Sequence, residues 1–206
     1  MKKLLLALLI CLSLTSCNNI ETINLQTNNN FAKNQFDGYD IDLYIPKTWT
    51  LIDNATITDL DTPEFNNFDN VLRFSINPIQ TEFLPETSVI TISQTEPTAQ
   101  FDLKKIKNKK DQETLVQTIL DYFSTNDLEI NDFEYFLKNY NTNTIFLVQY
   151  TASYKNKFAL PSIKTAQAIT EIGDKNYIFT LSSSAKEFDK HFKDFEIMLA
   201  NIQNLT

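Results

Sequence analysis

Carboxylates are the most plentiful reactive groups in this chain, and five of them, Asp53, Asp59, Asp61, Glu64 and Asp69, fall among turn-forming residues between positions 53 and 70. Asp59 and Asp61 have the first spacing of a calcium loop. Pro63 stands where the next ligand is expected, however, and the sharp-turn glycine and distal bidentate glutamate are absent. Asp53, Asp59 and Glu64 could instead pair as acid and base for sugar hydrolysis, which needs two carboxyls held about 5 to 10 Å apart across a cleft. Nothing in a loop fixes such a distance, so the stretch reads as a solvated acidic loop. Phe65 and Phe68 sit in it at helical spacing and allow one helical turn.

Lys104, Lys105, Lys107, Lys109 and Lys110 place five positive charges in seven residues. Such a run is either a solvated face or a contact for anionic head groups, where each lysine contributes about 1 kcal/mol. His191 is the single histidine. It borders an apolar helical stripe, and a general base needs a positioned partner and an open site, so it reads as a structural residue. Trp49 reads as a core anchor or, if exposed beside Phe65 and Phe68, as part of a binding patch.

Whole reaction classes are excluded by what the chain lacks. It holds two glycines, Gly38 and Gly173, whereas phosphate-cradling loops and the serine elbow of α/β hydrolases need several. One histidine does not make the usual zinc site. No cofactor is expected, and a formal charge of −8 argues against nucleic acid, whose phosphates require clustered Lys and Arg.

The strongest linear signal is Met1 to Cys17, MKKLLLALLICLSLTSC. Two lysines, an apolar run from Leu4 to Leu14 and a small residue before a cysteine form the three regions of a secretory signal. The run is shorter than the roughly 20 apolar residues of a spanning helix. Leu14-Thr15-Ser16-Cys17 looks like the lipobox of bacterial lipoproteins, which implies cleavage before Cys17 and a diacylglycerol on its sulfur. Membrane attachment through acylated Cys17 is therefore expected, since several acyl chains hold a protein firmly. An ordinary secretory peptide is the alternative. Asn18, rather than aspartate, implies the outer membrane, facing the periplasm, in a Gram-negative host. Loss of residues 1–16 leaves 190 residues, takes the charge to −10 and removes Cys11. The mature domain then has no free thiol and stands on packing, with sixteen Phe and eight Tyr as material.

Seven asparagines among residues 18–35 predict a disordered tether, from which the domain floats roughly 20 to 25 Å from the bilayer. One globular domain over residues 36–206 follows. Its alternating segments predict strands over Tyr39–Ile45, Val71–Ile76 and Ser88–Ser93, then near Phe133–Leu137, Ile145–Tyr154, Ile163–Ile172 and Tyr177–Leu181. The last two form a hairpin through Gly173-Asp174. Asp111 predicts the N-cap of a first helix with Leu115, Val116, Ile119, Leu120 and Phe123 on one face. Ser184 and Glu187 form a capping box for a second helix, whose apolar face is Phe188, Phe192, Phe195, Met198, Leu199 and Ile202. The fold class is α+β: an antiparallel sheet of about six or seven strands with helices on its faces.

Ile45-Pro46-Lys47-x-Trp49 closing an early strand, the meander, and a final helix after Tyr177-Ile178-Phe179-Thr180-Leu181-Ser182 are similar to the Mog1/PsbP-like superfamily, including DcrB-type lipoproteins. The resemblance covers roughly residues 36–204. It implies an α/β/α sandwich and a role as an accessory or binding subunit, and carries over no functional residue. The expected function is a non-enzymatic envelope module whose partner is another envelope protein. The alternatives are a carboxylate enzyme acting on envelope glycan or lipid, and a carrier of a small apolar ligand.

Overall fold

The computed structural model describes residues 20–52, 71–76, 88–95, 103, 106, 109–124, 128–154 and 162–205. In chain order these form strands β1 (Glu21–Ile23), β2 (Phe31–Asn34), β3 (Ile41–Pro46), β4 (Thr50–Leu51), β5 (Val71–Ser75) and β6 (Val89–Thr95). Helix α1 (Lys109–Ser124) follows, then β7 (Leu128–Tyr140), β8 (Asn143–Tyr154), β9 (Ile163–Ile172), β10 (Lys175–Ser184), helix α2 (Ala185–Ala200) and β11 (Gln203–Asn204).

Eight strands make the main sheet in the order β1-β7-β8-β9-β10-β6-β5-β4, and β11-β3-β2 make a small second sheet. Every pairing in the main sheet is antiparallel except β1 with β7. The expected β9–β10 hairpin is present, from Ile163↔Ser184 to Ile172↔Lys175. Gly173 turns it at φ +64, a conformation that costs residues with a Cβ and not glycine.

The meander is held by side chains alternating between two covered faces. On one face Ile145 and Leu147 of β8, Ala166 and Ala168 of β9, and Phe179 and Leu181 of β10 pack with Phe188, Phe195, Met198 and Leu199 of α2. Ile41, Leu43 and Ile45 of β3 close the same layer. On the other face Phe146 and Val148 of β8, with Tyr150 and Ile169, receive Leu115 and Ile119 of α1. A strand apolar in both registers is thus covered on both sides, as central strands require. Large meets small across the ladder, Phe179 opposite Ala168 and Leu181 opposite Ala166, which leaves α2 room to approach.

Three expectations are corrected. The tether expected over residues 17–35 is folded from Glu21 onward, because β1 pairs with β7 and β2 with β3; asparagine-rich composition hid long-range partners. Helix α1 begins at Lys109, not after Asp111, which lies in its first turn and there favours the positive end of the helix dipole. Ser184 does occupy the N-cap of α2 but its side chain makes no capping hydrogen bond.

Candidate functional site

Trp49 follows the β3 turn, its N–H bonded to the carbonyl of Pro46 at 2.9 Å. That turn drives the indole inward. It is only 6% exposed, so the core-anchor reading holds and the exposed patch does not. Its ring stands edge-on to His191, 5.5 Å between centroids. His191 is 5% exposed, with Nε2 3.8 Å from a Glu187 carboxylate oxygen. Burial, assisted by Lys190, pushes its imidazole below the usual histidine value against the pull of Glu187 and Asp194. Trp49 Nε1 and His191 Nδ1 are both buried without a hydrogen-bond partner among the described residues. A neutral, sealed imidazole suits packing rather than proton transfer to a substrate.

The other chemical groups at hand are engaged within the fold. Tyr140, fully buried, donates to Glu196 at 2.8 Å, and burial raises its phenol far above the usual range. Tyr39 donates to the carbonyl of Ile92 at 3.0 Å and burial pushes its hydroxyl up to about 12. Asp42 is paired with Lys33 at 2.6 Å and with Gln35 at 2.6 Å, which lowers its carboxyl. Among the described residues no three His, Cys, Asp or Glu side chains gather as metal ligands.

Where residues from remote parts of the sequence do converge is at three asparagines. Asn141 sits at φ +50, a left-handed position that asparagine tolerates well, in the β7–β8 turn. Its Oδ1 accepts from the Leu25 N–H at 3.0 Å, and its Nδ2 donates to the carbonyls of Leu25 at 2.8 Å and Ala200 at 2.9 Å. The Asn141 N–H donates to the Ile23 carbonyl at 2.9 Å. Asn143 Nδ2 donates to Leu199 and Ile202, and Asn201 Nδ2 to Leu25 and Ile197. The Asn201 N–H takes Met198. All four carbonyls left unpaired at the end of a helix, those of Ile197, Met198, Leu199 and Ala200, are thereby satisfied. The same side chains grip the segment that leads out of β1. A Lys138–Glu21 ion pair at 3.2 Å closes the latch from the strand side.

Lys109 and Lys110 are exposed in the first turn of α1, with Lys109 3.8 Å from Glu113. Cys17, Phe65, Phe68, Lys104, Lys105, Lys107 and the carboxylates of residues 53–70 lie outside the described residues. Side chains that hold a backbone segment 116 residues away leave no local signal.

No protein-family model matches the chain, and no curated protein matches it. Among solved structures it is similar to the cyanobacterial PsbP (CyanoP) of Synechocystis sp. PCC 6803, at 12% identity over 93% of this chain and 99% of that one, with a TM-score of 0.55. A weaker likeness, TM-score 0.43 at 14% identity over 85% of this chain and 91% of the other, is to LpqN, involved in cell envelope biogenesis of Mycobacterium tuberculosis. The fold is the Mog1/PsbP fold. No helix among the described residues is long and apolar enough to cross a membrane.

Proposed function

We propose that this chain is a lipid-anchored accessory module of a bacterial cell envelope, fixed to the membrane through acylated Cys17 and acting by binding another envelope protein rather than by catalysis. The observation that carries the reading is the latch: the segment just downstream of Cys17 is built into the sheet and held by Asn141 and Asn201. A strand placed there couples an anchor to a folded body. The engagement of His191, Tyr140 and Asp42 inside the fold supports a binding role over an enzymatic one. The Mog1/PsbP architecture is in keeping with it. In a Gram-negative host the outer membrane, facing the periplasm, is the proposed site. Lys109 and Lys110 are exposed in the first turn of α1, and the lysine run of residues 104–110 is proposed to add contacts to anionic head groups.

The test is in-cell crosslinking of the native lipidated protein beside a Cys17→Ala control, with captured proteins identified by mass spectrometry. An envelope protein recovered with the first and lost with the second is expected. Recovery of no protein above the control would refute the accessory role, and radiolabelled palmitate absent from the wild-type band would refute the anchor.

A further inference from the structure

We infer that the domain does not float on its tether but stands against the bilayer on one edge of its main sheet, the β1/β7 edge, with the β4 edge pointing away. The inference rests on the acylation of Cys17 proposed above and adds the orientation it imposes.

The length of chain between anchor and fold decides it. Ile20 is the first described residue and Glu21 already pairs with Lys138. Only Asn18 and Asn19 lie between Cys17 and Ile20, and extended chain spans at most about 3.6 Å per residue step, so over three steps the lipidated residue lies within roughly 11 Å of Ile20. That is about half the reach of a free tether of residues 18–35. The strand cannot easily peel away to lengthen the leash. Three ladder pairs with β7, the Lys138–Glu21 ion pair and the Asn141 and Asn201 bonds hold residues 21–25.

Which surface faces the lipid follows from what is already covered. Helix α2 and β3 occupy one face of the sheet and α1 the other, while β1 is the outermost strand of its side. Beyond the three residues paired with β1, the outer edge of β7 from Leu128 to Leu137 carries no further strand among the described residues. Ile20, an exposed apolar side chain, stands at the exit. The occupant is the bilayer that holds the acyl chains. Glu129, Asp132 and Glu134 are exposed along this edge, so anionic lipid is not what draws it down. The contact is set by the short leash and should form on zwitterionic membranes. Strands are spaced about 4.8 Å apart, so the six intervals from β7 to β4 place Thr50 roughly 29 Å farther from the surface.

The test uses the full-length protein, purified with its lipid and reconstituted into phosphatidylcholine vesicles carrying a head-group spin label. Lipidated Cys17 leaves no reactive thiol, so Glu134→Cys and Thr50→Cys, both at exposed positions, each take one fluorophore. Quenching at residue 134 is expected to exceed that at residue 50 several-fold. A Gly-Ser insertion of about twelve residues after Asn19, with an added reach of roughly 20 Å, leaves the fold intact and should erase the difference. Equal quenching at the two positions while the protein still floats with the vesicles would overturn the edge-on orientation and leave the anchor standing. A difference that persists after the insertion would show that the edge is held by something other than the leash, which also overturns the inference. Failure to float at all would overturn anchor and orientation together.

Discussion

From β7 to α2 each element is bonded or packed to the next one in the chain, whereas before α1 the local pairs β2–β3, β4–β5 and β5–β6 are tied down by elements far ahead: β1 finds β7, β3 finds β11, β6 finds β10, and Trp49 finds His191. The two regions share one core, yet they are specified differently. The meander is written in local pattern, a period of two in the strands and three-four spacing in α2. The early strands are short, three, four and two residues in β1, β2 and β4; β2 and β4 lean on the next strand, β3 and β5, and β1 on β7, more than a hundred residues ahead. The first region should therefore set global stability and the second should open on its own.

The largest effect belongs to the meander. Phe195 is fully buried between α2 and the sheet, and Phe195→Ala removes a ring that neighbours cannot replace, at a cost of about 3 to 5 kcal/mol. Urea unfolding should show the midpoint falling with the slope unchanged. A loss below about 1 kcal/mol would mean that α2 does not seat there as described.

The latch comes next and should break the comparison in the other direction. Asn141→Gly keeps the positive φ and deletes three side-chain hydrogen bonds, at a cost of about 2 kcal/mol given roughly 0.5 to 1.5 for each. Hydrogen exchange of the Leu25 amide should accelerate while amides of β8 and β9 keep their protection. Asn141→Ala should be worse by about 1 kcal/mol, the left-handed penalty of a residue with a Cβ. Equal acceleration across the sheet would show that β1 is part of the global unit.

That division also explains what could be read in advance. The β9–β10 hairpin, the two-sided burial of β8 and the apolar stripe of α2 each follow from spacing within a dozen residues. The fold of residues 20–34 does not, because Glu21 and Thr22 gain their place from Lys138 and Asn139, and no periodicity in Asn-rich sequence announces that. The start of α1 is ambiguous in sequence for a related reason: Lys109 and Lys110 suit a helix as well as Asp111 suits its cap. Trp49 was legible as an anchor, but its contact with His191 depends on α2, more than a hundred residues on.

Tyr140 links the two regions, standing at the end of β7 opposite β1 and donating to Glu196 of α2. Tyr140→Phe keeps the ring and deletes the bond, at a cost of about 1 to 2 kcal/mol. Because Glu196 is only half-buried, water can solvate its freed oxygen, which places the loss below that of the latch. A double-mutant cycle with Asn141→Gly should show coupling between them, since both hold the end of α2 to the β7–β8 turn. Strict additivity would separate the latch from the helix end.

The smallest effect is a slope rather than a step, and it probes the ring contact between Trp49 and His191 of the meander. In the folded protein burial holds His191 below its ordinary value near 6.5, so between those two values the unfolded chain binds the extra proton. Stability should therefore fall as pH drops from 7.5 through 6.5 and level off below the folded value. Asp194 is held up by burial and acts in the opposite sense. His191→Phe keeps an aromatic ring against Trp49 and removes the titration, so its urea midpoint should be flat between pH 7.5 and 5.5 where the wild type declines. A wild type equally flat over that range would mean that the imidazole is solvated in the folded state and that the Trp49 corner opens like the early strands around it.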